Sequence, residues 1–366
     1  MKFLLRALMC WLAFLFPVQA ATTLGGLYEA EVVVPDGQQA DLSSPLVTDA
    51  LRQVLVKVTG LQKIDEYADV TQALKTPRQF VREYGFHSVV VPAPDDVRQA
   101  LGVETLTQRV MRVAFLRGAV LQLVKKSGLP LWSPSRPDVL MWLAFDDYSQ
   151  QQWVTPELAP NHAQQLRDLA SARGLPLHFP NADFQDDFAL SPQELLQRDF
   201  SRVGAASARY NPDVVIAGHA VQTSEGIWIG GWRFNLDGQW QKIEVLGASR
   251  DEFLTLGIQR LADALAAKYA VLGDRQHSDL SMRVFGLRNF AEYSAFNDYL
   301  NSLTAVEKAD IEVIDGAFVL FRIDLKGSLE QLENAIMLHK KLLPVSEHSL
   351  TQIYDLQYRW VGDDNE

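Results

Sequence analysis

The sequence predicts a multi-domain chain of mixed α/β and α+β class, and three observations lead to this prediction. Apolar residues at helical spacing alternate along the chain with short apolar runs typical of strands. Three successive strand patterns, separated by short turns, lie between residues 213 and 247. The C-terminal part has the order strand, helix, strand, strand, helix, strand. We therefore expect two small α/β domains followed by an α+β domain.

Breaks in these patterns predict the domain boundaries. Ser133–Pro137 is rich in serine and proline and predicts a linker, and the polar stretch Gly273–Ser278 predicts a hinge. The resulting segments are a signal peptide, an N-terminal α/β domain (region one), an α/β domain with a β-meander (region two) and an α+β domain (region three): residues 1–20, 21–132, 138–272 and 279–362.

The N-terminal residues have the pattern of a secretory signal peptide. Lys2 and Arg6 precede the apolar run Ala7–Phe16, and small residues at Val18 and Ala20 suit a signal peptidase. The run is shorter than the roughly 20 residues that a membrane-spanning helix needs. We expect cleavage after Ala20 and a periplasmic mature protein; the alternative is an uncleaved N-terminal anchor.

Charge and cysteine content exclude several classes of function. The net charge is −11 at pH 7, which argues against nucleic acid or an anionic lipid surface as partner. Cys10, the only cysteine, lies in the signal, so the mature chain has no thiol for disulfides, metal thiolates or nucleophilic catalysis. No later apolar stretch approaches membrane-spanning length.

Region one is predicted to open with a strand at Leu27–Val34, followed by a helix with Ser44 as N-cap that ends at Gly60. A second helical pattern covers roughly residues 67–84. Strands at His87–Val91 and Gln108–Phe115 and a helix at Arg117–Lys126 complete it.

Region two is predicted to begin with the apolar strand Val139–Phe145 and a helix at His162–Arg173. Ser191 and Glu194 form a capping-box pattern that predicts one helix to about Tyr210. The meander and a last helix capped by Ser249 follow, with strands at Asp213–Thr223, Ile227–Leu236 and Gln239–Gly247.

Region three has the βαββαβ order of ferredoxin-like domains. Its predicted elements are strands at Ser281–Leu287, Asp310–Ile314, Ala317–Ile323 and Gln352–Trp360, and helices at Phe290–Leu303 and Ser328–Leu342. Such a domain has an open sheet edge, which offers a route to a homodimer.

Two resemblances accompany these patterns. The helix leading into Asn211–Ala220, the two further strands and the helix at Phe253–Leu272 resemble the α/β module of the TolB N-terminal and curli-assembly (CsgG-like) group of envelope proteins. The whole chain resembles domain of unknown function family 2066, on Leu27–Val32, Ala50–Gly60 and the Gly128–Trp132 joint. The second resemblance implies an exported protein of Gram-negative bacteria without an assigned activity.

The common catalytic motifs are absent. The sequence has no Gly-x-Ser-x-Gly elbow, no phosphate-binding Gly-x-x-x-x-Gly-Lys loop, no His-Glu-x-x-His and no Gly-x-Gly-x-x-Gly. The seven histidines include no pair spaced as metal ligands on one strand or helix face. We therefore assign no catalytic residue, no metal site and no cofactor.

Two groups of acidic residues have alternative interpretations. Asp146 and Asp147 follow an apolar strand, where they would bind a cation, act as acid and base, or simply form a turn. Asp183, Asp186 and Asp187 would hold calcium or form a solvated loop, but they lack the glycine and glutamate of an EF-hand.

The meander gives the most detailed site hypothesis. A two-residue turn at Asp237-Gly238 and a three-residue loop at Ser224–Gly226 place Gly231 between His219 and Glu244 on one sheet face. The missing side chain at Gly231 leaves a gap there. The His219–Glu244 pair is then a binding feature or part of a salt-bridged, exposed sheet face.

The leading functional hypothesis is an exported, non-catalytic module that binds an envelope protein. Its support is the absence of catalytic motifs and the series of small α/β modules. The alternative is a periplasmic hydrolase whose carboxylates, among them Asp146, Asp147 and Asp186, converge in an inter-domain cleft. A third hypothesis is a lipid- or glycan-carrying module, which requires a continuous apolar groove.

Overall fold

The computed structural model describes residues 22–23, 25–37, 40–93, 95–146, 151–236, 238–273, 279–345 and 354–362. It confirms the mixed α/β and α+β, multi-domain class, with three groups of sheets and helices following one another along the chain. The predicted signal peptide, Asp147 and Asp237 lie outside the described residues.

Region one is a three-stranded antiparallel sheet packed against helices. Its elements are β1 Thr22–Thr23, β2 Glu29–Val33, α1 Pro45–Thr59, α2 Ala68–Lys75, β3 Val81–Pro92, α3 Asp95–Leu101, β4 Thr105–Phe115, α4 Arg117–Lys126 and β5 Leu131–Trp132. The sheet order is β2-β4-β3. The predicted helix over residues 67–84 is wrong, because α2 ends at Lys75 and β3 starts at Val81. Pro77 begins a short 3₁₀ helix between them instead of continuing α2.

Region two is a six-stranded sheet with helices on both faces. Its elements are β6 Ser135–Arg136, β7 Val139–Asp146, β8 Gln151–Trp153, α5 Pro160–Ala172, β9 Leu177–His178, α6 Phe184–Ala189, α7 Pro192–Leu196, α8 Val203–Ser207, β10 Val214–Gln222, β11 Trp228–Leu236, β12 Gln239–Ala248, α9 Arg250–Tyr269 and β13 Ala270–Val271. The order is β12-β11-β10-β7-β8, with β9 beside β7. The central strand β7 is buried from Val139 to Phe145, as expected for a strand covered on both faces.

The predicted linker at Ser133–Pro137 is instead a packed joint between regions one and two. Arg136 is fully buried, stacks over the Trp132 ring at 3.7 Å and donates a 2.8 Å hydrogen bond to the Lys57 carbonyl. Arg173 donates a 2.8 Å hydrogen bond to the Gly60 carbonyl. Both arginines therefore satisfy carbonyls at the C-terminus of α1, where intrahelical partners run out.

Region three has the strand order β15-β16-β14-β18-β17. Its elements are β14 Asp279–Phe285, α10 Phe290–Ser302, β15 Val306–Asp315, β16 Phe318–Leu325, α11 Leu329–His339, β17 Leu342–Pro344 and β18 Leu356–Trp360. Apart from the short strand β17, this is the strand order of the ferredoxin-like arrangement that the βαββαβ pattern predicted. The direction of the last strand differs, because β18 runs parallel to β14, whereas a ferredoxin-like sheet is antiparallel throughout. The unpredicted strand β17 comes between α11 and β18 along the chain and pairs antiparallel with β18. Within the described part of the chain, every helix is too short or too polar to cross a lipid bilayer.

The two faces of the region-two sheet have different covers. The long helices α5 and α9 pack on one face, where Trp232 stacks on Phe253 at 4.8 Å. A Cβ at Gly218 or Gly257 would lie within 2.5 Å of the Trp232 ring, so both positions need glycine. The opposite face carries the short helices α6 to α8, whose side chains pack over β7 and β10.

Candidate functional site

The candidate site lies on the face covered by the short helices, at the point where that cover ends. Arg233 on β11 and Lys242 and Glu244 on β12 point to this face, and Lys242 and Glu244 are more than half exposed. Among the described residues, the helices on this face form their core with β7, β8 and β10. We call the β11–β12 part, with Arg233, Trp240, Lys242 and Glu244, the open face.

The strand register confirms the predicted arrangement of the meander. His219 pairs with Gly231 across β10 and β11, and Gly231 pairs with Glu244 across β11 and β12. A Cβ at Gly231 would lie 3.4 Å from Cε1 of His219 and 3.0 Å from the Ile243 carbonyl oxygen. The glycine therefore leaves a hollow above the sheet, with His219 at its side.

A break in the covering helices supplies the opposite wall of this hollow. The predicted single helix from Ser191 to about Tyr210 is wrong, because α7 ends at Leu196 and α8 starts only at Val203. Phe200 lies between them, with its ring 5.7 Å from the His219 ring in an edge-to-face contact. The Arg233 guanidinium stacks over the Phe200 ring, 4.2 Å from its centroid.

Arg198 ends α7 in an unusual backbone conformation. Its φ is +65°, in the left-handed region, and the Arg198 and Asp199 amides donate to the Leu195 and Glu194 carbonyls. This is the Schellman motif, in which glycine is the usual residue at the position of Arg198. The left-handed conformation costs an ordinary residue roughly 1–2 kcal/mol. Arg198 occupies this position despite that cost, and it lines the hollow.

The resulting cavity, the His219 pocket, has a volume of about 90 Å³. This is room for about three water molecules or one small functional group, and far below the size of most small-molecule sites. Its wall is formed by Arg198, Phe200, His219, Gly230, Gly231, Trp232, Arg233, Lys242, Ile243 and Glu244.

His219 is the buried polar group of this pocket. His219 is only 7% exposed, and neither its Nδ1 nor its Nε2 has a hydrogen-bond partner within the described part of the chain. Burial, together with the charges of Arg198, Arg233 and Lys242, lowers the pKa of His219 to about 4. The ring is therefore neutral at pH 7 and presents one N–H donor and one acceptor nitrogen.

The charges around the pocket do not balance. Arg198, Arg233 and Lys242 carry positive charge, and Glu244 is the carboxylate in the lining. Glu244 contacts Lys242 at 2.6 Å, and neither arginine forms an ion pair with a carboxylate among the described residues. The Lys242 contact also holds the pKa of Glu244 below its usual value. The pocket is locally cationic in a chain that is acidic as a whole.

The predicted His219–Glu244 pair does not form. The two residues lie on the same face, but the Glu244 carboxylate contacts Lys242 and no hydrogen bond joins it to the imidazole. Lys242 and Glu244 lie two positions apart on the same face of β12, so their side chains can meet. His219 is on β10, and the position of Gly231 on β11 separates it from Glu244. The candidate residues are therefore brought together as pocket walls and not as a catalytic pair.

Asp146 is the last residue of β7. It pairs with Gln151 of β8 and accepts a 2.8 Å hydrogen bond from the Gln151 side-chain amide. The strand therefore places Asp146 against a neighbouring strand, and the residues that would form a turn after it lie outside the described part of the chain. Asp147 lies outside the described residues.

The predicted solvated loop of Asp183, Asp186 and Asp187 is instead a closed ion-pair cluster. Asp186 is fully buried, accepts a 2.6 Å hydrogen bond from the Tyr210 hydroxyl and contacts Arg209 at 3.1 Å. Arg209 also binds Asp183 at 2.8 Å. These contacts use the oxygens that a calcium ion would need. The part of the chain that the structure describes has no group of three or more acidic, histidine or cysteine side chains placed to hold a metal.

Sequence reasoning missed Arg198 and Phe200. The capping box at Ser191 favours a continuous helix, and nothing in the residue types around Arg198 signals that this residue adopts a left-handed conformation. A glycine at that position would have indicated the helix end. The role of Arg198 and Phe200 in the pocket is therefore apparent only from the three-dimensional structure.

Residues 21–133 match one family model, described as Domain of unknown function (DUF8605). The resemblance to domain of unknown function family 2066 is therefore wrong. The resemblance of region two to the TolB N-terminal and CsgG-like group is wrong as well: the family match ends at residue 133, and no TolB or CsgG-like match accompanies it. The patterns behind both resemblances, an amphipathic helix followed by strands and a meander, occur in many folds and carry little family information.

Other comparisons add little. No curated protein matches the chain. One similar solved structure is a competence-damaged protein (CinA) superfamily protein from Escherichia coli, with 16% sequence identity and a TM-score of 0.23. The match covers 41% of this chain and 86% of that one.

Proposed function

We propose that this chain is a non-catalytic binding protein that contacts a protein partner through the open face of region two. The observation that carries the proposal is the His219 pocket, where a buried, unpartnered imidazole lies among positive charges that the described residues do not neutralise. Buried polar groups are normally hydrogen-bonded, so an unpartnered one at the mouth of an exposed face favours a partner that completes it.

The alternatives have less support. For the hydrolase, Asp146 is engaged by Gln151 and Asp186 by Arg209 and Tyr210, so neither is available as a free acid or base. For the lipid or glycan carrier, the His219 pocket gives no support, because about 90 Å³ is too small for an acyl chain or a sugar ring. The small, charged hollow suits a contact with a surface side chain better than either.

The proposed place of action is the periplasm, with an envelope protein as partner. It rests on the positive residues and short apolar run within residues 1–20. Intact-mass measurement of the protein purified from cells tests it, with loss of residues 1–20 as the expected result. A full-length mass in the cytoplasmic fraction would contradict export.

A crosslinking experiment tests the binding function. Trp240 lies on the open face, two positions along β12 from Lys242, and is 39% exposed. A photoreactive amino acid at Trp240 should capture one reproducible protein in living cells. The same amino acid at Arg260, exposed on α9 beyond the other sheet face, is the matched control and should not capture it. Equal capture at both positions, or none at Trp240, would refute the open face as the binding surface.

A homodimer through region three stays a separate proposal. It is supported by the edge strand β15, which exposes Ile311, Val313 and Ile314, the last at 71%. Light scattering of the wild type and Ile314→Lys tests it, with a dimer expected only for the wild type.

A further inference from the structure

We propose that the His219 pocket binds a carboxylate carried by an acidic side chain of the protein partner. The inference rests on the proposed function and names the chemical group that the open face recognises. Three properties of the pocket lead to it: its charge, its hydrogen-bonding groups and its size.

The charge of the pocket selects an anion. Arg198 and Arg233 enter the hollow from two different elements, the end of α7 and β11, and Lys242 from β12. Glu244 offsets only one of these charges, through its contact with Lys242. Guanidinium groups bind planar oxyanions through paired N–H donors, which fits carboxylate geometry.

The hydrogen-bonding groups of the pocket also fit a carboxylate. The neutral His219 ring has one N–H to donate, and in the described residues nothing accepts it. A carboxylate oxygen is an acceptor only, so it satisfies this donor and the arginine donors together. An amide or a hydroxyl would leave the arginine charges without a counter-charge.

The size and position of the pocket favour a side chain over a larger ligand. About 90 Å³ accommodates a carboxyl group with its adjoining methylene groups, and not a nucleotide or a sugar. Trp240 is exposed on the same face, where its indole can pack against the partner's backbone around the acidic residue. The Phe200 ring closes the pocket on the side of the short helices.

The backbone of Arg198 is an independent observation in favour of a ligand. Non-glycine residues rarely adopt the left-handed conformation, and those that do cluster at functional sites. Glycine would complete the same Schellman motif with less strain. An arginine at this position instead adds a positive charge to the lining of the pocket.

Three probes distinguish the possible sources of the anion. The binding of an acetylated and amidated Gly-Glu-Gly peptide, of its Gly-Gln-Gly analogue and of sulfate is measured through the His219 ring signals in NMR spectra at pH 7 and low salt. The His219→Gln variant assigns these signals. Saturable binding of the glutamate peptide alone supports the proposal. Saturation by sulfate in preference to the glutamate peptide, or by neither, overturns it.

Variants that remove a positive or a negative charge from the pocket should change the affinity for the glutamate peptide in opposite directions. Arg233→Gln and Arg198→Gly should each weaken binding of the glutamate peptide by about threefold or more, and Glu244→Gln should strengthen it by about threefold, because each changes one unit charge near the bound anion. Arg260→Gln, the matched control beyond the opposite sheet face, should change nothing. Equal weakening in Arg233→Gln, Arg198→Gly and Arg260→Gln would reveal non-specific attraction and overturn the proposal.

The same variants separate the carboxylate site from the protein-binding function. If crosslinking at Trp240 captures a partner equally well in Arg198→Gly and in the wild type, the open face binds a protein and the carboxylate inference fails. If the glutamate peptide binds as expected but Trp240 captures nothing in cells, the pocket chemistry stands and the protein-binding function fails.

Discussion

Two charged clusters on the same face of the region-two sheet differ in whether they are complete. In the closed cluster, Arg209 and Tyr210 face Asp183 and Asp186, and each side chain has partners within the cluster. In the His219 pocket, three cationic side chains and a buried histidine lie around one carboxylate, which contacts Lys242 and makes no hydrogen bond to the histidine.

The difference separates a structural role from a binding role. A buried charge is tolerated when neighbouring groups satisfy it, so the closed cluster holds α6 and the following helices against the sheet. Its Arg209 keeps the pKa of Asp183 low, at about 2, so that carboxylate stays ionised. The pocket lacks such internal partners, and a ligand from outside is the simplest way to complete it.

The largest expected effect is in the closed cluster. Asp186→Ala removes the fully buried acceptor of the half-buried Tyr210 hydroxyl and a carboxylate that contacts Arg209, and it leaves a gap at a buried position. We expect the free energy of unfolding to fall by about 3 kcal/mol in urea denaturation. Glu244→Ala removes the corresponding carboxylate from the pocket and should lower it by less than about 1 kcal/mol, because the Lys242–Glu244 pair is exposed. Equal losses would show that the two clusters do not differ as described.

The second effect is the pH dependence that His219 contributes. Its pKa is lowered from 6.5 to about 4 by burial and by Arg198, Arg233 and Lys242, against a smaller opposite effect of Glu244. Between pH 6.5 and 4 the unfolded chain therefore binds a proton that the folded chain does not. The contribution of His219 to the free energy of unfolding is therefore constant above pH 6.5. It falls by about 2 kcal/mol as the pH is lowered from 6.5 to about 4.5.

A variant isolates this contribution. Between pH 6.5 and about pH 4.5, the free energy of unfolding measured in urea should fall less for His219→Leu than for the wild type. His339, whose pKa is also lowered to about 4, is present in both proteins and cancels in the difference. Identical pH dependence of the two proteins would mean that His219 is not shielded from protons as its burial indicates.

The third effect is on stability at neutral pH. His219→Leu replaces a buried ring with two unsatisfied nitrogens by an apolar side chain of similar size. We expect the free energy of unfolding to rise by about 1 kcal/mol, although the change removes a pocket residue. His178→Leu is the matched control, and it should not raise stability, because Nδ1 of His178 contacts Asp138 at 3.0 Å. A lower stability of His219→Leu would indicate that the imidazole has a structural role.

The pattern of side chains predicted the half of the site that lies on strands. Alternation and two short turns fix which residues oppose each other, so His219, Gly231 and Glu244 could be placed on one face from the sequence. The order β15-β16-β14-β18 of region three followed from its βαββαβ pattern, whereas the short strand β17 and the parallel direction of β18 did not. The half contributed by Arg198 and Phe200 could not be predicted, because it depends on a helix that breaks where propensity favours continuation.

Contacts between distant segments were also beyond prediction. The predicted linker contains Arg136, which is buried against Trp132 and the end of α1, and a Ser-Pro-rich sequence gives no sign of this. Likewise, Asp183 and Asp186 meet Arg209 only through folding, since more than twenty residues separate them along the chain. Local patterns specify elements and register, whereas the partners of charged side chains depend on tertiary packing.

The smallest expected effect on stability is that of Arg198→Gly, a substitution that should weaken ligand binding without destabilising the protein. Arg198→Gly relieves the left-handed conformation at φ +65° and keeps the Schellman hydrogen bonds of the Arg198 and Asp199 amides, which are main-chain groups. The relief is partly offset by the greater freedom of glycine in the unfolded chain, so the free energy of unfolding should stay level or rise by up to ~1 kcal/mol. Binding of the glutamate peptide should weaken in the same protein. Lys340→Gly, at the left-handed end of α11, is the control for the backbone effect, since it lies outside the pocket and should leave peptide binding unchanged. Loss of stability without loss of binding in Arg198→Gly would mean that Arg198 supports the end of α7 and not the ligand.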